Sequence, residues 1–238
     1  MKYAHVYALF LVFVFCTSCG QNQTDLPEAY IRSEFKDTVT SPQSKDPNFH
    51  TKYEYTDSIG ERLIIQNGFP KGGTHTDPNG EVYDYRVLWT RISNETDNPL
   101  ELKIDFPVDS YEIPGLPGKY YKVLVPPDTM TIDKEPLYDQ DLTGLKSFLD
   151  NSIHKPSSLK RIINPKESGG FYVVIPSWTG GAQGALRTGL SLKGQDLFYR
   201  ISLIKGPPPI SLISEKEIRC GSINLKSLIL KNKFLKSN

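Results

Sequence analysis

Cysteine is almost absent. The 238 residues hold only Cys16, Cys19 and Cys220, and the first two fall in a leader-like N-terminus. Cys220 is then alone in the rest of the chain, so no intramolecular disulfide is expected there and the core must hold by packing. It lies in EIRCGSINL, an alternating context that suits a buried, inert thiol better than a nucleophile. Net charge is lacking too. Lys+Arg number 28 against 27 Asp+Glu, which argues against a nucleic-acid partner, whose binding depends on neutralising phosphates. Histidine is sparse at 4, and the chain has no G-x-S-x-G elbow and no G-K-[ST] phosphate loop. No cofactor and no metal site are expected. No apolar run reaches the ~20 residues that a membrane-spanning helix needs. At ~100 to 200 residues per domain, the length allows one domain with an extension and excludes a multidomain machine.

The first residues, MKYAHVYALFLVFVFCTSCG, place Lys2 ahead of an apolar run from Val6 to Cys16, followed by Thr17, Ser18, Cys19 and Gly20. A basic start, a short apolar run and small residues make the layout of an export signal. With its small residues directly before a cysteine, this stretch resembles a bacterial lipoprotein precursor. That resemblance implies residues 1–18 as signal peptide, cleavage before Cys19, and a diacylglyceryl group on the Cys19 thiol. The family usually has Leu or another aliphatic residue three positions before the lipidated residue, where this chain has Cys16. The resemblance further implies a cell-envelope protein whose partner is the membrane, reached through the lipid on Cys19. Gly20 rather than Asp follows the cysteine, which points to the outer membrane ahead of the inner.

Residues 19–50 are rich in Gln, Asn, Ser, Thr and Asp, with Pro27, Pro42 and Pro47, as in a flexible tether. Such a tether reaches an r.m.s. distance of ~30 Å. One interruption, PEAYIRSEF, puts Tyr30, Ile31 and Phe35 on one helical face.

Residues 51–238 read as a single β domain. Leu100, Leu102, Ile104 and Phe106 alternate with Glu101, Lys103 and Asp105, the period-two signature of a half-buried antiparallel strand. Before it, Tyr83, Tyr85, Val87 and Trp89 share a face, and the turn residues of SNETDNP between the two runs predict a hairpin. Further strands are expected around Leu63 and over Tyr120–Val125, Leu159–Ile163, Phe171–Ile175, Ala185–Leu192, Leu197–Ile204 and near Ile218. KGQD with Gly194 should close one hairpin. Leu142 to Ile153 carries the one helical pattern, with Asp141 as N-cap. Together these predict a mainly β, antiparallel, immunoglobulin-like β-sandwich with one short connecting helix, a barrel being the alternative. The phrases NETDNPLELKIDFP and INPKESGGFYVVI resemble segments of envelope lipoproteins to which no activity is attached.

Candidate sites are few. The H-x-D triplet at His75 and Asp77, in KGGTHTDPNGE, offers two metal-ligand types but no third nearby and reads as a solvated loop. Asp77 to Gly80 reads as a turn rather than a calcium loop. His154 follows the predicted helix and could stabilise its carbonyl end. TGGAQGALRTG reads as a hairpin connection. The aromatic residues Trp178, Tyr111, Tyr120 and Tyr121 flank Gly- and Pro-rich segments and are the ligand-binding candidates, by stacking on sugars or anchoring a protein, unless they cover the core's open end. Arg219, Lys226, Lys231, Lys233 and Lys236 follow Glu217 with no further acidic residue, a positive C-terminal stretch suited to anionic lipid or to simple solvation. The expected function is a non-enzymatic, lipid-anchored binding or structural module for an envelope protein or glycan. The alternative is a hydrolase acting on glycans through carboxylates such as Asp105 or Asp109.

Overall fold

The computed structural model describes residues 48–57, 60–113, 116–127, 142, 144–178, 185–205 and 211–224. Its strands in chain order are β1(Phe49–Thr56), β2(Arg62–Gly68), β3(Lys71–Thr76), β4(Val82–Asn94), β5(Leu100–Phe106), β6(Tyr111–Glu112), β7(Tyr120–Tyr121), β8(Ser157–Ile163), β9(Ser168–Ser177), β10(Ala185–Lys193), β11(Asp196–Lys205) and β12(Ser211–Asn224). Among the described residues one helix, α1(Leu145–Ser152), lies between β7 and β8. A 7-stranded sheet runs β1-β2-β4-β9-β7-β6, with β3 also paired to β4, and a 5-stranded sheet runs β10-β11-β12-β5-β8. Every pairing is antiparallel. The chain is thus the antiparallel sandwich that its alternation predicts. Its strand number exceeds the seven to nine of immunoglobulin domains, so the order of strands does not carry the finer likeness.

The core lies between the sheets. Leu100, Leu102, Ile104 and Phe106 are all buried while Glu101, Lys103 and Asp105 face solvent, and the apolar four meet Leu63, Ile65, Leu88, Ile92, Phe171 and Val173 from the larger sheet. β4 is buried on both faces. Leu88 and Ile92 enter the inter-sheet core, whereas Tyr83, Tyr85 and Val87 share the opposite face, where α1 covers them. Leu145, Leu149 and Ile153 of the α1 region pack there against Tyr83 and Val174. α1 has Gly144 at its N-cap position, with φ 83° and no side-chain cap. The expected cap, Asp141, lies outside the described residues, as do residues 1–47 and 225–238.

Two expectations are corrected. β4 and β5 do not form a hairpin, because β5 pairs with β12 and β8 in the other sheet. The chain crosses between sheets after Asn94, and it crosses back between β8 and β9 at the same end. One buried side chain joins these crossings: Asn94 Nδ2 donates to the carbonyls of Asn98 at 2.8 Å, Ile163 at 3.0 Å and Asn164 at 3.1 Å. Asn94 Oδ1 accepts from the Thr96 amide and hydroxyl. The two phrases singled out in the sequence are these two crossings. Secondly, KGGTHT is not a solvated loop but strand β3, paired with β4 from Lys71↔Val87 to Thr76↔Val82. A Cβ on Gly73 would come 2.9 Å from Tyr85 Oη, so the missing side chain makes room for the tyrosine.

The open sides of the sandwich are stitched by side chains. Asn67 accepts from Leu190 N at 2.8 Å and donates to Leu190 O at 3.1 Å, so its amide replaces a strand neighbour for the edge strand β10. Leu192 N donates to Tyr55 Oη in the same seam. Opposite, Val125 N donates to Ser157 Oγ and Arg161 Nη1 to Gly170 O. The β10–β11 hairpin closes through Lys193↔Asp196 with Gly194 at φ 63°, as expected. Over Tyr120–Val125 only Tyr120 and Tyr121 are strand, followed by a single bridge from Leu124 to Val174.

Candidate functional site

The two ends of the sandwich differ. At the Asn94 end short turns join the strands, while the opposite end carries α1, β6, β7 and the aromatic residues. There the register of three strands sets rings side by side on the outer face of the larger sheet. His75 on β3 sits opposite Tyr83 on β4, with ring centroids 5.4 Å apart. Tyr83 lies 5.2 Å from Trp178, which directly follows β9. The Trp178 amide donates to the Tyr120 carbonyl on β7 at 2.9 Å. Tyr120 ends this row and is 43% exposed.

The other end of the row is enclosed. His75 is only 6% exposed and its Nε2 lies 2.7 Å from Asp150 Oδ1 on α1. Burial, reinforced by the negative charges of Asp150, Asp77 and Glu81, pushes the Tyr83 phenol up to about 12. Among the described residues the Tyr83 hydroxyl and the Trp178 indole nitrogen are both buried without a hydrogen-bond partner. Lys122 Nζ donates to Ile153 O at 2.7 Å just past the end of α1, and burial lowers its ammonium pKa. Two polar pins, one from β3 and one from the segment after β7, therefore hold α1 on the sheet.

The four aromatic candidates divide between two faces. Tyr120 and Trp178 belong to the outer row. Tyr121 points the other way and is buried in the inter-sheet core, where Tyr111 packs against it at 5.5 Å. Burial raises both phenols, and the Tyr111 ring has Lys216 Nζ 5.7 Å from its centroid. Tyr111 and Tyr121 thus serve as core cover, and Tyr120 is the accessible member.

The remaining candidates fall into structural positions. Asp77 Oδ1 accepts from Asn79 N and Glu81 N, each at 2.8 Å, and these bonds, led by that of Glu81, lower its carboxyl pKa. With Gly80 at φ 86°, this is the expected turn. Asp105 pairs with Lys103 at 3.1 Å on the solvent face of β5, and Asp109 is exposed. His154 is exposed beyond α1. Cys220 is buried, and desolvation pushes its thiol up to about 12. Among the described residues no group of three or more His, Cys, Asp or Glu could hold a metal ion. Cys19, the lysines of 225–238 and the glycines of 179–184 lie outside the described residues.

The His75 to Asp150 contact was the part missed from sequence. Its one local signal is Thr74 and Thr76 flanking His75, a short β-branched alternation that the neighbouring glycines obscure. Chemically, the row offers aromatic faces and the accessible Tyr120 phenol, and His75 is too enclosed to act as an open base. No family model matches the chain, and no curated protein is similar to it.

Proposed function

We propose that this protein is a lipid-anchored lipoprotein of the cell envelope, attached through Cys19, whose sandwich is a non-enzymatic binding or structural module. The observation that carries the reading is Thr17-Ser18-Cys19-Gly20 directly after a short apolar run. The tether of residues 19–50 then separates anchor from domain, and the outer membrane is the destination. The partner is another envelope component, a protein or a glycan. The asymmetry of the sandwich supports this role, since one end is closed by tight turns while the other presents Tyr120 beside Trp178. The exposed Tyr120 ring, set on a rigid scaffold, suits recognition. Asp105, one of the carboxylates of the hydrolase alternative, is engaged with Lys103 on the solvent face of β5, which supports the binding module. The test replaces Cys19 with Ala, keeps Cys16, and compares salt-washed membrane and soluble fractions with a lipid label. Loss of label, with the variant soluble or unprocessed, is expected; normal lipidation and cleavage of the variant would refute the assignment.

A further inference from the structure

We propose that the tip of the turn between β3 and β4, Asn79 followed by Gly80, is a self-modification site. In the folded protein it converts to aspartyl and isoaspartyl forms and thereby loosens the outer aromatic row. An asparagine before a glycine closes readily into a ring, because the glycine has no side chain to shield its amide. The chain holds two such dipeptides, at Asn67 and Gly68 and at Asn79 and Gly80. The fold treats them oppositely. Asn67 is 2% exposed. Its Nδ2 donates to Thr51 Oγ1 at 2.9 Å and Leu190 O at 3.1 Å, and its Oδ1 accepts from Thr90 Oγ1 at 3.1 Å and Leu190 N at 2.8 Å. Its Cγ cannot turn toward Gly68 N without dismantling the seam between β2 and β10. Asn79 and Gly80 are both exposed, and Asn79 Nδ2 makes one long contact, to Asp77 Oδ2 at 3.4 Å. Nothing beyond the adjoining residues lies within 4 Å of where a Cβ would stand on Gly80, whose φ is 86°. The ring therefore has room to form.

The step needs only water and a base from solvent. The Gly80 amide donates to Asp77 O at 3.0 Å, a bond on an exposed turn that opens without unfolding the domain. Gly80 N gives up its proton and attacks Asn79 Cγ. The N–Cγ bond forms, the Cγ–Nδ2 bond breaks, and Nδ2 leaves as ammonia with a proton from water. Water then adds to one of the two ring carbonyls. Opening at Cγ yields aspartate, and opening at the Asn79 main-chain carbonyl yields isoaspartate, whose main chain runs through Cγ. The turn that reacts also sets a register. Asp77 Oδ1 accepts from Asn79 N and Glu81 N, and β3 pairs with β4 directly beyond, through Thr76↔Val82 and His75↔Tyr83. Isoaspartate inserts one main-chain carbon between those two amides, and either product sets a new carboxylate beside Asp77 and Glu81. Both changes weaken the end of the hairpin that carries His75, and with it the contact to Asp150 that holds α1.

The test holds the full chain, folded, in mildly alkaline buffer made with heavy-oxygen water, beside a sample unfolded in guanidinium chloride. Both are digested with pepsin in ordinary acidic water, and tandem mass spectrometry locates the heavy oxygen. In the folded chain Asn79 should take up label at least about a hundredfold faster than Asn67, which reacts only from states with the seam open. Unfolding should bring the two rates together. Asn79 labelled only after unfolding would overturn the inference, since the turn would then lock the amide. Equal rates at the two sites in the folded chain would overturn it as well. An Asn79→Gln variant closes its larger ring far more slowly, so undiminished label in its peptide would place the reaction elsewhere and refute the site. The modified fraction, separated by its added charge, should exchange amide hydrogens over β3 and the start of β4 at least about tenfold faster. Unchanged exchange there would refute the loosening of the row.

Discussion

Replacing Asn94 with Ala probes the corner where the chain twice changes sheet. The side chain is 1% exposed, and its amide donates to three carbonyls while its oxygen accepts two bonds from Thr96. Two amide hydrogens serve three acceptors, so one of these bonds is shared. In the Ala variant the Thr96 amide loses its acceptor in a fully buried position, and the Ile163 and Asn164 carbonyls lose a donor. The Thr96 hydroxyl keeps Asn98 O at 2.9 Å. A buried polar group left unpaired costs about 1–3 kcal/mol, so the loss should total about 3–5 kcal/mol. For a domain of this size, at about 2–4 °C per kcal/mol, the melting temperature should fall by roughly 10 °C. Asn94→Asp keeps the shape but sets a carboxylate against three carbonyls, and should cost at least as much. Thermal and urea unfolding of the two variants measure this. A loss below about 1 kcal/mol for Asn94→Ala would show that backbone bonds such as Asn94 N to Glu167 O at 2.8 Å hold the corner without the side chain.

Leu102→Asp should destabilise by more than about 4 kcal/mol by burying an unpaired charge. Lys103→Glu on the solvent face should change urea stability by less than about 1 kcal/mol, and the reverse order would contradict the β5 register. Gly170→Ala drives a Cβ into the Trp89 ring at Cζ2, so the indole must move; about 1–3 kcal/mol of destabilisation and a shifted tryptophan emission are expected, whereas unchanged emission would count against the packing of Trp89 on Gly170. Cys220 should resist a membrane-impermeant thiol reagent until denaturant is added, because burial both hides the sulfur and disfavours the thiolate. Immediate labelling of the folded chain would contradict its placement.

What the sequence made legible was local and periodic. The alternation of Leu100 to Phe106 fixes one face of β5 whatever its partners are, and Gly194 marks a turn that only a hairpin needs. The β4 to β5 connection was misread because a hairpin and a crossing between sheets share the same alternation and the same turn residues. The pairing of β5 with β12 and β8, and the long-range bonds of Asn94 to Ile163 and Asn164, distinguish them. β3 was hidden for a related reason: its glycines disfavour strand by propensity, yet Gly73 is what the Tyr85 side chain packs over. Burial of β4 on both faces was not legible either, since the α1 region that covers Tyr83 and Val87 lies more than fifty residues on in the chain. The candidate site was half legible. Tyr120 and Trp178 do meet on one face, but parity along β7 sends Tyr121 into the core, and the His75 to Asp150 contact joins residues 75 positions apart.

The account rests on the chemistry of one residue. Intact-mass and peptide mass spectrometry of the protein extracted from its native membrane read that chemistry directly. A mature chain that starts at Cys19 and carries a thioether-linked diacylglyceryl group is the predicted result. A Cys19 thiol free of lipid, or an N-terminus elsewhere with no lipid attached, would contradict it.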